Sequence, residues 1–379
     1  MVDIVEYIEC YPEYQKFEEF LKCLIRFLNL SCIPWKIVRG YGKYIFPISQ
    51  IYSLISSVFA LVYFEKDLMG ILISVTLSTG FFQVFIKTLS IITQSNRLEI
   101  LFRFIQEMHQ VHENDLIPDS ARIHLKHLKK SLNINKIILR ILFAVSFMTA
   151  PGVLLYFLHT DLLIVAVPGV FPSSKASLIY QHIHQGICMG IATIELLIPD
   201  VITISIGLYL IAVLNIFQDI IQHIHKFDFS KKEDVLIEIH KFHSNILEIF
   251  RIFSDIFYYT IAVQTATSVV FVYCEFFIIL STDFMAFIPM VLYIFVQFIA
   301  VCIFGEMMYS KTEKLTTDFY LTNWYELDIH EQKILLMMMY MSHKIIGLKA
   351  AGMYDINLRM FIETIKAGIS FLTILYTLT

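Results

Sequence analysis

The chain has 379 residues, of which 57% are hydrophobic, 15% aromatic and only 16% charged, and its mean hydropathy is +0.67. Soluble domains carry about 25% charged residues, so this composition argues against a water-soluble enzyme and for a protein of the bilayer. The 33 acidic and 29 basic residues leave a net charge of −4, which argues against nucleic-acid binding, where a basic face is needed.

Residues 1–43 mix Glu6, Glu9, Glu13, Lys16, Glu18, Glu19 and Lys22 with apolar side chains. They lack the short apolar core and small-residue cleavage site of a signal peptide, so they are predicted to stay cytosolic while the first spanning helix targets the chain. Crossing the hydrocarbon core takes about 20 mostly apolar residues. Stretches poor in charge mark six candidates in order: 44–64, 68–86, 141–160, 182–217 (with Glu195 and Asp200), 256–280 (with Glu275) and 284–305. A seventh, 354–379, is weaker, because Asp355, Arg359, Glu363 and Lys366 crowd its first half. The predicted fold class is an all-α membrane protein with seven transmembrane helices. Basic residues set the orientation. With a cytosolic N-terminus, the outer segments hold Lys66 and Lys175, 2 of the 29 basic residues, and the opposite orientation reverses that split. The N-terminus is therefore predicted to be cytosolic and the C-terminus extracellular.

The cytosolic connections 95–140, 223–255 and 307–352 are long, whereas two of the three outer ones are tight turns. Helical spacing continues into them, as in Ile237, Phe242, Ile246, Ile249, Phe250 and Phe253. The helices of the 44–306 region are thus predicted to extend below the membrane, with 307–352 forming cytosolic anchor helices and 353–379 the last spanning helix. In the anchor, Ile334, Met338, Met341, Ile345 and Leu348 recur at spacings of 4, 3, 4 and 3, a coiled-coil-like seam. Such a seam suits either an intramolecular core helix or a contact between subunits. No internal repeat is visible, which argues against transporters built from inverted repeats.

Chemistry finds little footing. Cys10, Cys23, Cys32, Cys188, Cys274 and Cys302 are scattered and read as structural thiols. The close pairs His109/His112, His124/His127, His182/His184, His223/His225 and His240/His243 lack nearby ligands in a metal-site pattern and read as solvated positions. There is no Gly-x-Ser-x-Gly, P-loop or Gly-x-Gly-x-x-Gly, so neither catalysis nor a cofactor is expected. Glu195 and Asp200 flank Pro199 within a span. Ionisable groups there usually face the bundle interior or water, so either neighbouring helices satisfy them or Glu195 orients a ligand in an outward-facing pocket. Val75, Thr79, Phe147, Ala150, Leu154, Ile191, Ile194, Tyr273 and Phe277, with Phe157, Phe276, Phe287 and Tyr293, fall in the outer halves of spans two to six. They suit an apolar cavity for a small, volatile, weakly polar ligand, or ordinary bundle packing. In the last span, Lys366, Ser370, Thr373 and Thr377 form one polar stripe at spacings of 4, 3 and 4. That stripe lines water or allows close helix packing, and Lys366 on it would snorkel toward the cytosolic mouth. One helix cannot enclose a pore, so a conduit needs several subunits around an axis.

The inverted seven-helix layout, the run Asp318-Phe-Tyr-Leu-Thr-Asn-Trp324, then Ser342-His-Lys344, Leu348-Lys-Ala350, Phe361 and Lys366-Ala-Gly-Ile-Ser370, resemble the insect odorant receptor family. The most specific parts are the Tyr320 to Trp324 spacing and the Lys366 to Ser370 segment. The chain is short, without a large insertion between spans four and five, and so resembles an odour-tuned member rather than the co-receptor. The resemblance implies a ligand-gated nonselective cation channel in the plasma membrane of a sensory neuron dendrite, with a small volatile odorant and co-receptor subunits in a tetramer as partners. It further implies a subunit anchor from the inner parts of helices four to seven, including Tyr320 and Trp324. It places the seventh helices around one pore, with an outer gate at Ile374 and Leu378 and Thr377 on the ion path. A gustatory-type channel differs mainly in favouring a more polar ligand. A G-protein-coupled receptor requires the reverse orientation, and the chain lacks Asp-Arg-Tyr after the third span and Asn-Pro-x-x-Tyr in the seventh.

Overall fold

The structure is a computed structural model that describes residues 6–31, 36–64, 68–111, 120–171, 175–222, 232–279, 284–343, 347–350 and 352–378. Within these, side chains are described except at 36–40, 68–69, 111, 175, 232–233, 277–279, 284–287, 289 and 375–378. The described residues form α1 (Tyr11–Leu28), α2 (Lys36–Tyr63), α3 (Leu68–Thr93), α4 (Ser95–Glu107), α5 (Ser120–Thr160), α6 (Lys175–Gln222), α7 (Lys232–Ile279), α8 (Phe284–Tyr320), α9 (Ile329–Ser342) and α10 (Leu358–Leu378). Two short antiparallel ladders complete them: β1 (Glu6–Tyr7) with β2 (Gln110–Val111), and β3 (Lys349–Ala350) with β4 (Tyr354–Asp355).

Five of the helices contain stretches long and apolar enough to cross a membrane: Tyr41–Tyr63, Gly70–Thr93, Ser120–Thr160, Ala176–Gln222 and Met290–Tyr320. The other two expected spans lie on α7 and α10, which are continuous helices of 48 and 21 residues. Thr260, Gln264, Thr265, Thr267 and Ser268 on α7 are buried in the bundle, and Arg359, Glu363 and Lys366 sit on the first half of α10.

Helix length explains why the helices outrun a bilayer. At 1.5 Å per residue, a 48-residue helix such as α6 or α7 runs about 72 Å, more than twice what a bilayer core needs. The connections expected at 95–140 and 223–255 are accordingly largely helical: residues 120–140 are the first half of α5, and residues 232–255 belong to α7. The second span does not stop at residue 86, because α3 continues through Lys87 to Thr93.

Packing makes α6 the central post. Of its most apolar stretch 83% is buried, against 22% for that of α5, so that part of α6 is surrounded by protein and α5 stays peripheral. The largest apolar cluster joins α1, α4 and α9 to α5 through α8, built on residues such as Tyr14, Leu101, Leu132, Phe217, Phe250, Phe253, Met308 and Phe319. A smaller outer cluster gathers Ile73, Val153, Phe157, Ile164, Phe271, Met290 and Ile294. Two glutamines on α6 hold the outer loop over that end. Gln185 Oε1 accepts from Ile164 N and Val165 N at 2.8 and 3.0 Å, and Gln181 Oε1 accepts from Val167 N at 2.8 Å. The inner end is finished locally: Asp328 and Glu331 form a reciprocal capping box that starts α9. The turn between β3 and β4 uses Gly352 at φ +74°, a left-handed conformation that favours glycine.

Candidate ligand cavity

A half-open cavity of about 140 Å³ lies where α3, α5, α6, α7 and α8 converge. Each helix presents one face to it: Thr76, Leu77, Gly80, Phe81, Gln83 and Val84 from α3; Ser146, Thr149, Ala150 and Val153 from α5; Met189, Ala192, Thr193 and Leu196 from α6; Phe271 from α7; Met290, Tyr293, Ile294 and Gln297 from α8. The wall is chiefly apolar. The hydroxyls of Thr76, Thr149 and Thr193 donate to the carbonyls of Leu72, Val145 and Met189 on their own helices, each at 2.8 Å, leaving their methyl groups as contact surface. A void of about 150 Å³ lined by apolar side chains accommodates benzene, so this cavity suits a molecule built on a single ring or a short chain.

Beneath the cavity lies an ion pair enclosed by protein. Lys87 Nζ donates to Asp200 Oδ1 at 2.6 Å, and Gln297 Nε2 donates to Asp200 Oδ2 at 2.6 Å. Lys87 has no exposed surface and Asp200 only 4%. Burying either charge alone costs several kcal/mol; pairing makes the cluster net neutral, and both carboxylate oxygens are occupied. Gln297 lines the cavity above and also, with Asp200, a smaller void below that reaches Phe304 and Leu348. The cluster therefore joins the outer cavity to the inner bundle.

Of the residues expected to line a ligand cavity, Ala150 does so, as does Tyr293. Val75 and Thr79 lie on α3 one position away from Thr76 and Gly80, and Thr79 donates to the carbonyl of Val75 at 2.7 Å. Phe147 and Ile194 point outward, 68% and 45% exposed. Leu154 and Ile191 are half-buried without lining the cavity, Leu154 lying against Gly186 of α6. Tyr273 packs edge-on against Phe371 of α10, with ring centroids 5.6 Å apart. The side chain of Phe277 lies outside the described residues, as does that of Phe287. Glu195 turns toward α2, where its Oε1 lies 3.1 Å from Ser49 Oγ. Its neighbour Leu196 faces the cavity instead.

Lys87, Gln83 and Gln297 were not anticipated. A signal for Lys87 was present nonetheless: it is followed by the uncharged run Thr88-Leu-Ser-Ile-Ile92, so the lysine falls inside an uncharged stretch instead of ending it. Solvated histidines were expected, and here the structure corrects the expectation. His109 and His243 are 1% and 0% exposed, because each ring stacks on an aromatic neighbour, Tyr14 at 4.4 Å and Phe217 at 5.1 Å. Burial pushes the pKa of both down to about 4. Among the described residues no group of three or more His, Cys, Asp or Glu is placed to hold a metal ion.

α10 lies on α7 and α8 and leaves its other face uncovered. Thr364 and Gly368 are turned inward, whereas Lys366, Ser370, Thr373 and Ile374 are exposed. Ser370 and Thr373 donate to the carbonyls of Lys366 and Ile369, at 2.9 Å each. The side chains of Thr377 and Leu378 lie outside the described residues. Of the residues expected to form an anchor seam, Met338 and Leu348 are buried in the chain's own core and Ile334 packs against it, with Met341 partly buried; Ile345 lies outside the described residues. The next face of α9 is apolar and open, with Leu336, Met337 and Tyr340 exposed, and Tyr320 and Trp324 are exposed nearby in sequence.

The sequence profile described as 7tm Odorant receptor matches residues 67–368. No curated protein matches the chain in sequence. Among solved structures the chain is similar to the olfactory receptor OR5 of the insect Machilis hrabei, both alone and in complex with eugenol. The TM-scores are 0.83 and 0.82 at 15% identity, with 98% of this chain and 100% of that chain covered in each case. The profile spans about four-fifths of the chain, through α3 and the cavity helices into α10, and on that ground the chain belongs to the seven-transmembrane odorant receptor family.

Proposed function

We propose that the chain is an odour-tuned subunit of a ligand-gated nonselective cation channel, that its ligand occupies the cavity among α3, α5, α6, α7 and α8, and that α10 lines the pore. The observation that carries the ligand site is a half-open, mostly apolar cavity of about 140 Å³, the size and polarity of a small volatile molecule. The similar OR5 was solved with eugenol, itself a small aromatic. In this reading α2, α3, α5, α6, α7, α8 and α10 are the seven spans, the N-terminus is cytosolic and the C-terminus extracellular. The protein acts in the plasma membrane of a sensory dendrite and catalyses no reaction. Four subunits, co-receptor among them, surround the axis and cover two surfaces that one chain leaves open: the Ser370 and Ile374 face of α10, and the apolar face around Tyr320, Trp324 and Tyr340. Ile374 and Leu378 form the outer constriction, with Thr377 between them.

Gating is a population shift. An odorant that fits the open arrangement better moves the outer ends of α10 apart, and a few kcal/mol of differential affinity suffices. The test is whole-cell current under an odorant panel, with the chain expressed alone and then with an odorant co-receptor. Odour-evoked cation current upon co-expression supports a tuned subunit. Silence in both, with surface labelling positive, overturns the channel reading. Leu378→Ala is expected to widen an apolar constriction that excludes water when closed and so to raise the basal current; an unchanged basal current and odour response would remove Leu378 from the gate.

A further inference from the structure

The cavity wall carries two amides whose hydrogen bonding is incomplete, and they stand at the same end. Gln297 spends its Nε2 on Asp200 at 2.6 Å. The carboxylate demands the nitrogen, so the amide's orientation is settled and its Oε1 lies on the other limb, where it accepts from no described residue. Gln83 is 1% exposed and its Nε2 has no partner among the described residues. Gln83 and Lys87 are four residues apart on α3 and so share a face. Lys87 binds the same Asp200 that holds Gln297. Both amides thus sit at the ion-pair end of a cavity of about 140 Å³, one with an unmatched acceptor and the other with an unmatched donor.

We propose that the ligand is a small neutral alcohol or phenol, whose hydroxyl donates to Gln297 Oε1 and accepts from Gln83 Nε2 while its hydrocarbon part fills the apolar remainder. This inference rests on the assignment of the cavity as the odorant site. A hydroxyl is the smallest group that carries both a donor and an acceptor on one atom. An aldehyde, ketone or ester answers Gln83 alone and leaves the carbonyl of Gln297 unmatched. A hydrocarbon answers neither amide. A charged amine finds no counter-ion in the wall, because no residue lining the cavity is charged and Lys87 neutralises Asp200 beneath it. Sites built to hydrogen-bond a hydroxyl reject analogues lacking it, since the buried polar groups are then left unpaired.

The test uses four molecules on one skeleton: benzyl alcohol, benzaldehyde, toluene and benzylamine. Odour-evoked current is measured for the chain co-expressed with co-receptor, with surface labelling throughout. For the unaltered chain the half-maximal concentration is expected to rise on the order of tenfold from benzyl alcohol to benzaldehyde and again to toluene, with benzylamine ineffective. Gln83→Leu is expected to raise the value for benzyl alcohol about tenfold and to narrow its gap to toluene. Gln83→Met, closer in shape, serves if the leucine variant does not reach the surface. Toluene or benzaldehyde as potent as benzyl alcohol overturns the inference, as does a gap that neither variant changes. Silence toward all four molecules, with current from other odorants, overturns this inference alone. Silence toward every odorant overturns the channel reading beneath it as well.

Discussion

Lys87, Asp200 and Gln297 show how a polar cluster survives inside an apolar bundle: each charge is neutralised and both carboxylate oxygens are bonded. Removing one partner leaves the other charge buried and alone, which costs about 3–5 kcal/mol, whereas replacing both by apolar residues is often nearly neutral. Lys87→Met alone is therefore expected to reduce surface expression strongly, and Lys87→Met with Asp200→Leu to restore much of it. Equal loss in the single and double variants would show that charge pairing is not what the fold needs at these two positions. At the cavity, Ala150 is the smallest side chain that α5 contributes. Ala150→Trp drives an indole into a void of about 140 Å³, and odorant sensitivity is expected to fall more than tenfold with surface expression retained. A normal concentration–response curve in this variant would move the ligand elsewhere.

At the scale of elements, α10 depends on a close approach to α7. A Cβ at Gly368 would lie 2.6 Å from Phe276 Cδ2 and 3.3 Å from Val272 Cγ1, distances at which the Phe276 ring or the helix pair must shift. Gly368→Val is expected to destabilise the packed chain by about 1–3 kcal/mol and lower its melting temperature in detergent by several degrees. A melting curve identical to that of the unaltered protein would mean that α10 does not pack on α7 through this glycine. α9 divides its apolar residues differently from the heptad seam. Met338 enters the chain's own core, and the open stripe lies beside it at Leu336, Met337 and Tyr340. Both alternatives posed by the seam thus have a place on one helix: an inner face that holds the fold, and an outer face available to a neighbour.

Across the whole molecule, stability acquires a pH dependence from two buried histidines outside the spans. His109 and His243 have their pKa lowered to about 4 by burial, against about 6.5 in an unfolded chain. Above about 6.5 both states are neutral and the folded state has its full stability. As the pH falls from there toward 4, the unfolded chain binds protons that the folded chain refuses, and stability is lost, at most about 3 kcal/mol for each site. Below about 4 the loss levels off. Melting temperature in detergent is expected to drop between pH 7 and pH 5, and the drop to shrink in His243→Phe, which keeps a ring against Phe217. A curve flat over that interval in the unaltered protein would contradict the burial of these rings.

Hydropathy, charge counts and short motifs are local properties of the sequence, and they sufficed for the helical class, five apolar spans and the family. The Tyr320 to Trp324 and Lys366 to Ser370 segments carried the resemblance that the family profile later bore out. The face that each helix turns inward is not local. Successive residues on a helix differ by about 100°, so Val75 and Thr76 look in different directions, and only the packing of five helices decides that Thr76 meets the cavity. The same holds for Lys87 and Asp200, 113 positions apart in the chain and 2.6 Å apart in the fold. Each reads alone as a costly charge in an apolar segment. The tertiary structure makes them one neutral pair, because their attraction in a medium of low dielectric offsets a desolvation that neither charge could sustain alone.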